Sequence, residues 1–203
     1  MYTRLIGKGS SWLLSKLVGG LAATGVHPNL LTVLGLVVTV WAAVMFAIGQ
    51  FRWAATGIFL AGFLDLADGE VARRQGRVTP FGAFFDSVLD RYSDMVLYMG
   101  LIVYYVTIGR SFYGVLAAVA MAGSVMVSYA RARAESLIPT CRVGFMERPE
   151  RLVLLIIGSV FDRMGPALWM TAVLSTLTVI HRIVYTWQKT SAGGTLPDGG
   201  SRK

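Results

Sequence analysis

Charged side chains are scarce in this sequence of 203 residues, of which only 15% are Asp, Glu, Lys or Arg. A soluble domain carries about 25%. Long apolar runs account for the difference. The run from 29 to 49, for example, contains no charge and is long enough to cross a hydrocarbon core about 30 Å thick. These features exclude an ordinary soluble enzyme and a disordered chain, and they predict an integral membrane protein.

Cysteine and histidine are also almost absent. The single cysteine, Cys141, excludes an intrachain disulfide. The two histidines, His27 and His181, lie far from the main group of acidic residues in sequence, which disfavours a zinc site. No stretch alternates apolar and polar residues for long, so a soluble β protein is excluded as well.

Apolar runs separated by short polar breaks predict an all-α, polytopic membrane protein with six transmembrane helices. The fifth helix is the weakest prediction. Its uncharged run reaches only from Leu152 to Phe161, so the helix must include Arg148 and Arg151. The predicted spans cover 29–49, 54–75, 81–107, 111–135, 148–163 and 165–188.

Basic residues predict the orientation in the membrane. Fifteen Lys and Arg residues fall on one side of the spans and three on the other, so the positive-inside rule places both termini in the cytoplasm. This asymmetry also explains most of the net charge of +8, and nucleic acid is therefore not an expected partner. Apolar residues at helical spacing predict an interfacial amphipathic helix within 1–26. Residues 27–189 then form the six-helix transmembrane domain, and 190–203 form a disordered tail.

Acidic residues are concentrated in one region. Six of the eleven lie between Asp65 and Asp94, where a carboxylate inside a span is costly unless it meets water, a cation or a partner. Asp65 and Asp68 share one helix face, and Asp86 and Asp90 share another. The short loop between these helices predicts an antiparallel pair. We therefore expect the four carboxylates to meet near the cytoplasmic ends, as ligands for Mg²⁺ or Mn²⁺.

Two other interpretations of the acids remain open from the sequence. Salt bridges to Arg73, Arg74 and Arg91 could neutralise them without a metal. A divalent-cation transporter also needs acids within the membrane, but it would spread them through the membrane depth. Small residues such as Gly69 and Gly82 let a ligand approach the helix backbone, and Arg73 suits a phosphate. This combination favours a phosphate-ester site that is open to the cytoplasm.

The pattern of acids and small residues forms a specific motif. It reads Asp65-x2-Asp68-Gly69-x2-Ala72-Arg73-x8-Gly82-x3-Asp86-x3-Asp90. The motif resembles the signature of the CDP-alcohol phosphotransferase family at every fixed position, and the resemblance extends over about residues 10–188. Members of that family transfer a substituted phosphate from a CDP-linked donor to an alcohol and release CMP. The resemblance also implies a homodimer located in the cell membrane.

The resemblance implies roles for the motif residues. Two Mg²⁺ ions, or Mn²⁺ in their place, would be held by Asp65, Asp68, Asp86 and Asp90. Asp90 would also be the general base toward the acceptor hydroxyl. The CDP-linked lipid donor would be bound by Asp65, Asp68, Gly69, Ala72, Arg73, Thr79 and Gly82. Asp94 lies outside the signature, and we expect it to support Arg91.

Two further blocks, 128–135 and 147–151, indicate the acceptor. They resemble the branch of the family that makes phosphatidylinositol phosphate, and its archaeal ether-lipid counterpart. The resemblance implies that Arg131, Arg151 and Arg182 bind the phosphate of inositol phosphate, although the branch commonly has lysine where this chain has Arg131. Glycerol 3-phosphate also carries a phosphate and is the alternative acceptor. These arginines could instead be simple positive-inside charges.

Overall fold

The computed structural model describes residues 25–192, which contain six α-helices and no strand. The helices are α1 (Pro28–Ala47), α2 (Phe51–Arg74), α3 (Pro80–Thr107), α4 (Ser111–Glu135), α5 (Arg148–Val160) and α6 (Met164–Ala192). Each predicted segment corresponds to one helix, and the ends agree to within about one turn. The all-α prediction is therefore confirmed.

The predictions for the two ends of the chain lie mostly outside the described residues. The interfacial helix was placed within 1–26 and the tail at 190–203, whereas the description begins at Gly25 and ends at Ala192. At the C-terminal boundary, α6 continues through Ala192, so the first three residues of the predicted tail are helical.

Three of the six helices, α1, α4 and α6, are long and apolar enough to cross a membrane on their own composition. Many large apolar side chains point outward; Phe59 is 70% exposed and Val115 is 64% exposed. An apolar surface of this extent is rare on soluble monomers. The short helix α5 has only 13 residues.

The local sequence explains where the helices begin and turn. Helices α1 and α3 each start with proline, and the preceding residue caps the helix: His27 Nδ1 accepts from the Asn29 N–H at 3.3 Å, and Thr79 Oγ1 accepts from the Gly82 N–H at 3.0 Å. Gly49 follows α1 with a backbone φ of 78°. Glycine adopts this left-handed conformation without a steric penalty, which permits the tight turn into α2.

The helices form a bundle in which α1 packs against α2 and α3. Helix α4 packs against α3 and α6, while α5 packs against α2 and α6. The crossing of α1 and α3 is especially close, because a Cβ added at Gly100 would overlap the carbonyl group of Ala43. This contact holds the two helices that frame one side of the acidic cluster at short distance.

The close crossing predicts that Gly100→Val destabilises the protein by about 1–3 kcal/mol, because the added side chain has no space between α3 and α1. Thermal unfolding in detergent measures the effect. Gly62→Ala is the matched control, since a Cβ at Gly62 meets nothing within 4 Å. Equal unfolding temperatures for Gly100→Val and the parent protein would contradict the close crossing.

Candidate metal centre and substrate pockets

Three aspartates from two helices converge at the ends of α2 and α3 that face the 75–79 loop. Asp65 and Asp68 come from α2 and Asp86 from α3, and each offers one oxygen such that the three oxygens lie within 4.8 Å of one another. Helix α1 contributes Thr32, whose hydroxyl donates to Asp68 Oδ2 at 2.6 Å. The structure thus brings Asp86 of α3 together with the α2 pair Asp65 and Asp68.

The donor set of this cluster fits a hard divalent cation. Its ligands are carboxylate oxygens, which Mg²⁺ and Mn²⁺ prefer. Asp86 Oδ1 is buried and has no hydrogen-bond partner among residues 25–192. A buried carboxylate oxygen without a partner is energetically unfavourable, and a bound cation would remove that cost. Asp68 is also buried, with 6% of its surface exposed.

A cavity of about 300 Å³ opens beside this cluster, and we call it the donor pocket. It contains all the small residues of the motif, together with Arg73 and Thr79. Its lining residues are Pro28, Asn29, Thr32, Asp68, Gly69, Ala72, Arg73, Arg77, Val78, Thr79, Gly82, Ala83 and Asp86. Six of the seven residues predicted to bind the donor therefore line one cavity. The seventh, Asp65, joins it through the acidic cluster.

The glycines of the donor pocket differ in what surrounds them. A Cβ at Gly82 would lie 3.0 Å from Thr79 Oγ1, the atom that caps α3. A Cβ at Gly69 would meet only the guanidinium of Arg73, at 3.6 Å. Gly82 is therefore constrained by the helix cap, whereas the absence of a side chain at Gly69 leaves open space inside the pocket.

Of the salt bridges considered from the sequence, those of Arg73 and Arg74 form with Glu70, at 3.0 Å and 2.9 Å, and not with the aspartates. Arg91 donates to the backbone carbonyl of Ser87. In each case the partner lies one turn away on the same helix.

Within residues 25–192, the cation that contacts the acidic cluster is Arg148, a residue with no role in the predicted site. Its Nη1 lies 2.9 Å from Asp65 Oδ2 and 2.9 Å from Asp90 Oδ1. Arg148 is the first residue of α5, where the α5 backbone passes close to α2. The signal in the sequence is the short uncharged run of this helix, since the helix has to extend as far as Arg148 to reach a sufficient length.

Asp94 has a different partner from the one expected. We expected it to support Arg91, but Asp94 Oδ2 lies 2.6 Å from Arg151 Nη2. The other oxygen, Oδ1, lies 3.6 Å from Arg148 Nε. The expectation was wrong because Asp94 points away from the turn that holds Arg91, toward α5. The pair with Arg151 is almost fully buried, with 2% and 7% of the two side chains exposed.

A second polar cavity, of about 370 Å³, lies on the other side of Asp90; we call it the basic pocket. All three predicted phosphate-binding arginines line it. The complete lining is Ser87, Asp90, Arg91, Asp94, Val127, Ser128, Arg131, Ala132, Glu135, Glu147, Arg148, Pro149, Arg151 and Arg182. Four helices and the loop before α5 thus bring together arginines that are far apart in sequence.

The three arginines differ in burial and in their partners. Arg131 is half-buried and pairs with Glu135 at 3.1 Å and Glu147 at 3.2 Å. Arg182 is 2% exposed and donates through Nε to the carbonyl of Val143 at 2.9 Å. Simple positive-inside charges would lie in solvent, so burial of Arg151 and Arg182 argues for a site.

Neighbouring turns of α3 line the two cavities. Asp86 lines the donor pocket, whereas Asp90, one turn further on, lines the basic pocket. The acidic cluster therefore lies between a cavity with small residues and a cavity with arginines.

Comparisons with known proteins agree with this architecture. The family model for CDP-alcohol phosphatidyltransferases matches residues 25–184. The archaetidylinositol phosphate synthase of Methanothermobacter thermautotrophicus is 40% identical over 166 residues, which cover 78% of this chain and 82% of that protein. The phosphatidylinositol phosphate synthase of Streptomyces avermitilis is 37% identical over 177 residues, covering 79% and 72%.

Solved structures show the same fold. The phosphatidylinositol phosphate synthase of Mycobacterium tuberculosis with CDP-DAG bound superposes with a TM-score of 0.79 at 28% identity, covering 94% of this chain and 98% of that one. The same enzyme in complex with manganese and citrate gives a TM-score of 0.78 at 27% identity, covering 94% and 93%. On the motif, the fold and these relatives, the chain belongs to the CDP-alcohol phosphatidyltransferase family.

Proposed function

We propose that the protein transfers a phosphatidyl-type group from a CDP-linked diacylglycerol or archaeol to inositol phosphate and releases CMP. The observation that carries this proposal is that neighbouring turns of α3 line the two cavities, Asp86 the donor pocket and Asp90 the basic pocket. Relatives named archaetidylinositol and phosphatidylinositol phosphate synthases support the choice of acceptor. The relative crystallised with CDP-DAG supports the choice of donor.

We propose a membrane arrangement with six spans, in which residues 27–189 form the catalytic domain. Three helices have the length and composition to span alone. The other three carry charged residues of the site on inward faces, which membrane helices tolerate when these residues meet partners. The asymmetry of basic residues supports both termini and the active site on the cytoplasmic side of the cell membrane. The family resemblance supports a homodimer.

The chain would hold two Mg²⁺ ions through Asp65, Asp68, Asp86 and Asp90, and Mn²⁺ would fit the same oxygen ligands. When bound, the ions neutralise charge on the pyrophosphate and stabilise the leaving CMP. The manganese complex of a relative supports a divalent cation in this fold. Three of the four carboxylates already converge, and Asp90 lies within reach of the same Arg148 side chain as Asp65.

In the donor pocket, Gly69 and Ala72 leave room for the CDP group, and Arg73 stands at the exposed rim to contact a phosphate. In the reaction, the acceptor hydroxyl oxygen forms a bond to the β-phosphorus, and the bond from that phosphorus to the CMP oxygen breaks. Asp90 takes the hydroxyl proton. Because a carboxylate near cations is a weak base, its main contribution is to orient the hydroxyl, and Arg148 fixes Asp90 for that purpose.

The first prediction concerns the reaction and its acceptor. Purified protein with CDP-diacylglycerol and Mg²⁺ should release CMP with inositol 1-phosphate rather than glycerol 3-phosphate, as the names of the relatives indicate, and not with serine, which has no phosphate for the basic pocket. Asp90→Asn should lower the rate at least about 100-fold. A CMP assay measures both effects. CMP release only with glycerol 3-phosphate would support the proposed reaction and contradict inositol phosphate as its acceptor. Release with none of the three would contradict the transferase proposal for this donor.

The second prediction concerns the metal. Asp86→Asn should weaken Mn²⁺ binding, measured by electron paramagnetic resonance, by at least about tenfold, since loss of even an outer-shell group costs that much. Asp162→Asn is the matched control. It makes the same change in the α5–α6 turn, where Asp162 has a φ of 52°, a conformation that asparagine also tolerates. Equal Mn²⁺ affinity for the two variants would argue against the aspartate cluster as the metal site.

The third prediction concerns phosphate binding. Arg131→Gln should raise the KM for inositol 1-phosphate about 10–100-fold, as expected for the loss of a hydrogen bond to a charged group, and leave the KM for the CDP-linked donor unchanged. Arg133→Gln is the control, because it removes the same charge two residues away. Arg133 donates to Ser136 and does not line the basic pocket. If both variants have the same KM for inositol 1-phosphate, Arg131 only contributes to the positive-inside charge and does not bind the acceptor.

A further inference from the structure

Glu147 places a carboxylate between two of the arginines of the basic pocket. A single oxygen, Oε1, lies 3.2 Å from Arg131 Nη1 and 3.4 Å from Arg182 Nη2. The two arginines come from α4 and α6, and Glu147 comes from the loop that precedes α5. An anion in this position contacts the same pair of guanidinium groups that a phosphate acceptor would use.

Glu147 is less constrained than the other two acids that pair with Arg131, Arg151 or Arg182. Asp94 is buried and contacts both Arg148 and Arg151. Glu135 is held by the backbone N–H of Cys141 in addition to its arginine. By contrast, 45% of the Glu147 side chain is exposed. Although Glu147 occupies the N-cap position of α5, its side chain makes no capping hydrogen bond.

The space around Glu147 also allows its side chain to move. A further open cavity of about 530 Å³ adjoins the basic pocket and is lined by Arg131, Arg142, Gly144, Phe145, Glu147 and Glu150. Glu147 lines both cavities. Rotation about its side-chain bonds can therefore carry the carboxylate from the arginine pair into the adjoining cavity, where Arg142 offers a second positive charge.

We propose that Glu147 determines acceptor specificity by occupying the anion position of the basic pocket until the phosphate of the acceptor displaces it. The inference rests on the proposed function, because it assumes that the acceptor phosphate binds between Arg131 and Arg182. A phosphomonoester carries nearly two negative charges and three acceptor oxygens, so it replaces Glu147 with a net gain. The single carboxylate of an acceptor such as serine offers no more charge than Glu147 itself.

The test compares Glu147→Gln with Glu150→Gln. Glutamine keeps the size of the side chain but removes the charge that competes with phosphate. Breaking a partly exposed ion pair of this kind changes an equilibrium by up to about fivefold. We therefore expect Glu147→Gln to lower the KM for inositol 1-phosphate several-fold, up to about that value, with kcat and the KM for the donor unchanged. Glu150→Gln, which lines only the adjoining cavity, removes the same charge but leaves the Glu147 carboxylate on the arginine pair, so it should lower this KM less than Glu147→Gln does.

A second measurement keeps this inference separate from the proposed reaction. Binding of inorganic phosphate is measured by calorimetry for the parent protein and both variants, without donor, and thermal unfolding confirms that each is folded. Tighter phosphate binding in Glu147→Gln supports the proposal even if the parent releases no CMP with inositol phosphate. Unchanged or weaker binding overturns it. An increase in acceptor KM in Glu147→Gln also overturns it, because the carboxylate would then contact the bound acceptor directly.

Discussion

Repulsion among closely spaced carboxylates is the constraint on which the site depends. Asp65, Asp68 and Asp86 lie within 4.8 Å of one another, an arrangement that is unfavourable in an apolar environment unless positive charge compensates it. Arg148 supplies part of that charge from α5. The oxygens it does not reach, including the unpartnered Oδ1 of Asp86, leave the remainder to a cation. The cluster therefore costs stability without a cation, and a bound cation would restore it.

The bundle brings these aspartates together because small residues let its helices pack closely. The overlap that a side chain at Gly100 would have with Ala43 shows how closely α3 approaches α1. From α1, Thr32 reaches Asp68 with a hydrogen bond of 2.6 Å. The small residues of the donor pocket act in a similar way, because they leave space where a bulky CDP group would need to approach the helix backbone. Glycine thus serves two purposes: it allows the close packing of α3 on α1 at Gly100, and it leaves open space in the donor pocket.

Most of the helical layout could be predicted from the sequence, because apolar runs interrupted by glycine, proline and charge mark helix ends directly. The approach of Asp65 and Asp68 to Asp86 was also predictable, since helix spacing and a short loop determine it. Arg148 and the partner of Asp94 could not be found in this way. Both contacts depend on how the segment between α4 and α5 folds back, and no periodicity encodes that path.

The start of α5 links the metal centre to the basic pocket. Within five residues, Glu147 contacts Arg131 and Arg182, Arg148 contacts Asp65 and Asp90, and Arg151 contacts Asp94. These side chains share one helical turn, so none can shift far without the backbone that carries the others. An anion that enters the basic pocket therefore changes the balance of charge on the same turn that orients Asp90. The short fifth helix, the weakest prediction from the sequence, is therefore the element that contacts both the aspartates and the basic pocket.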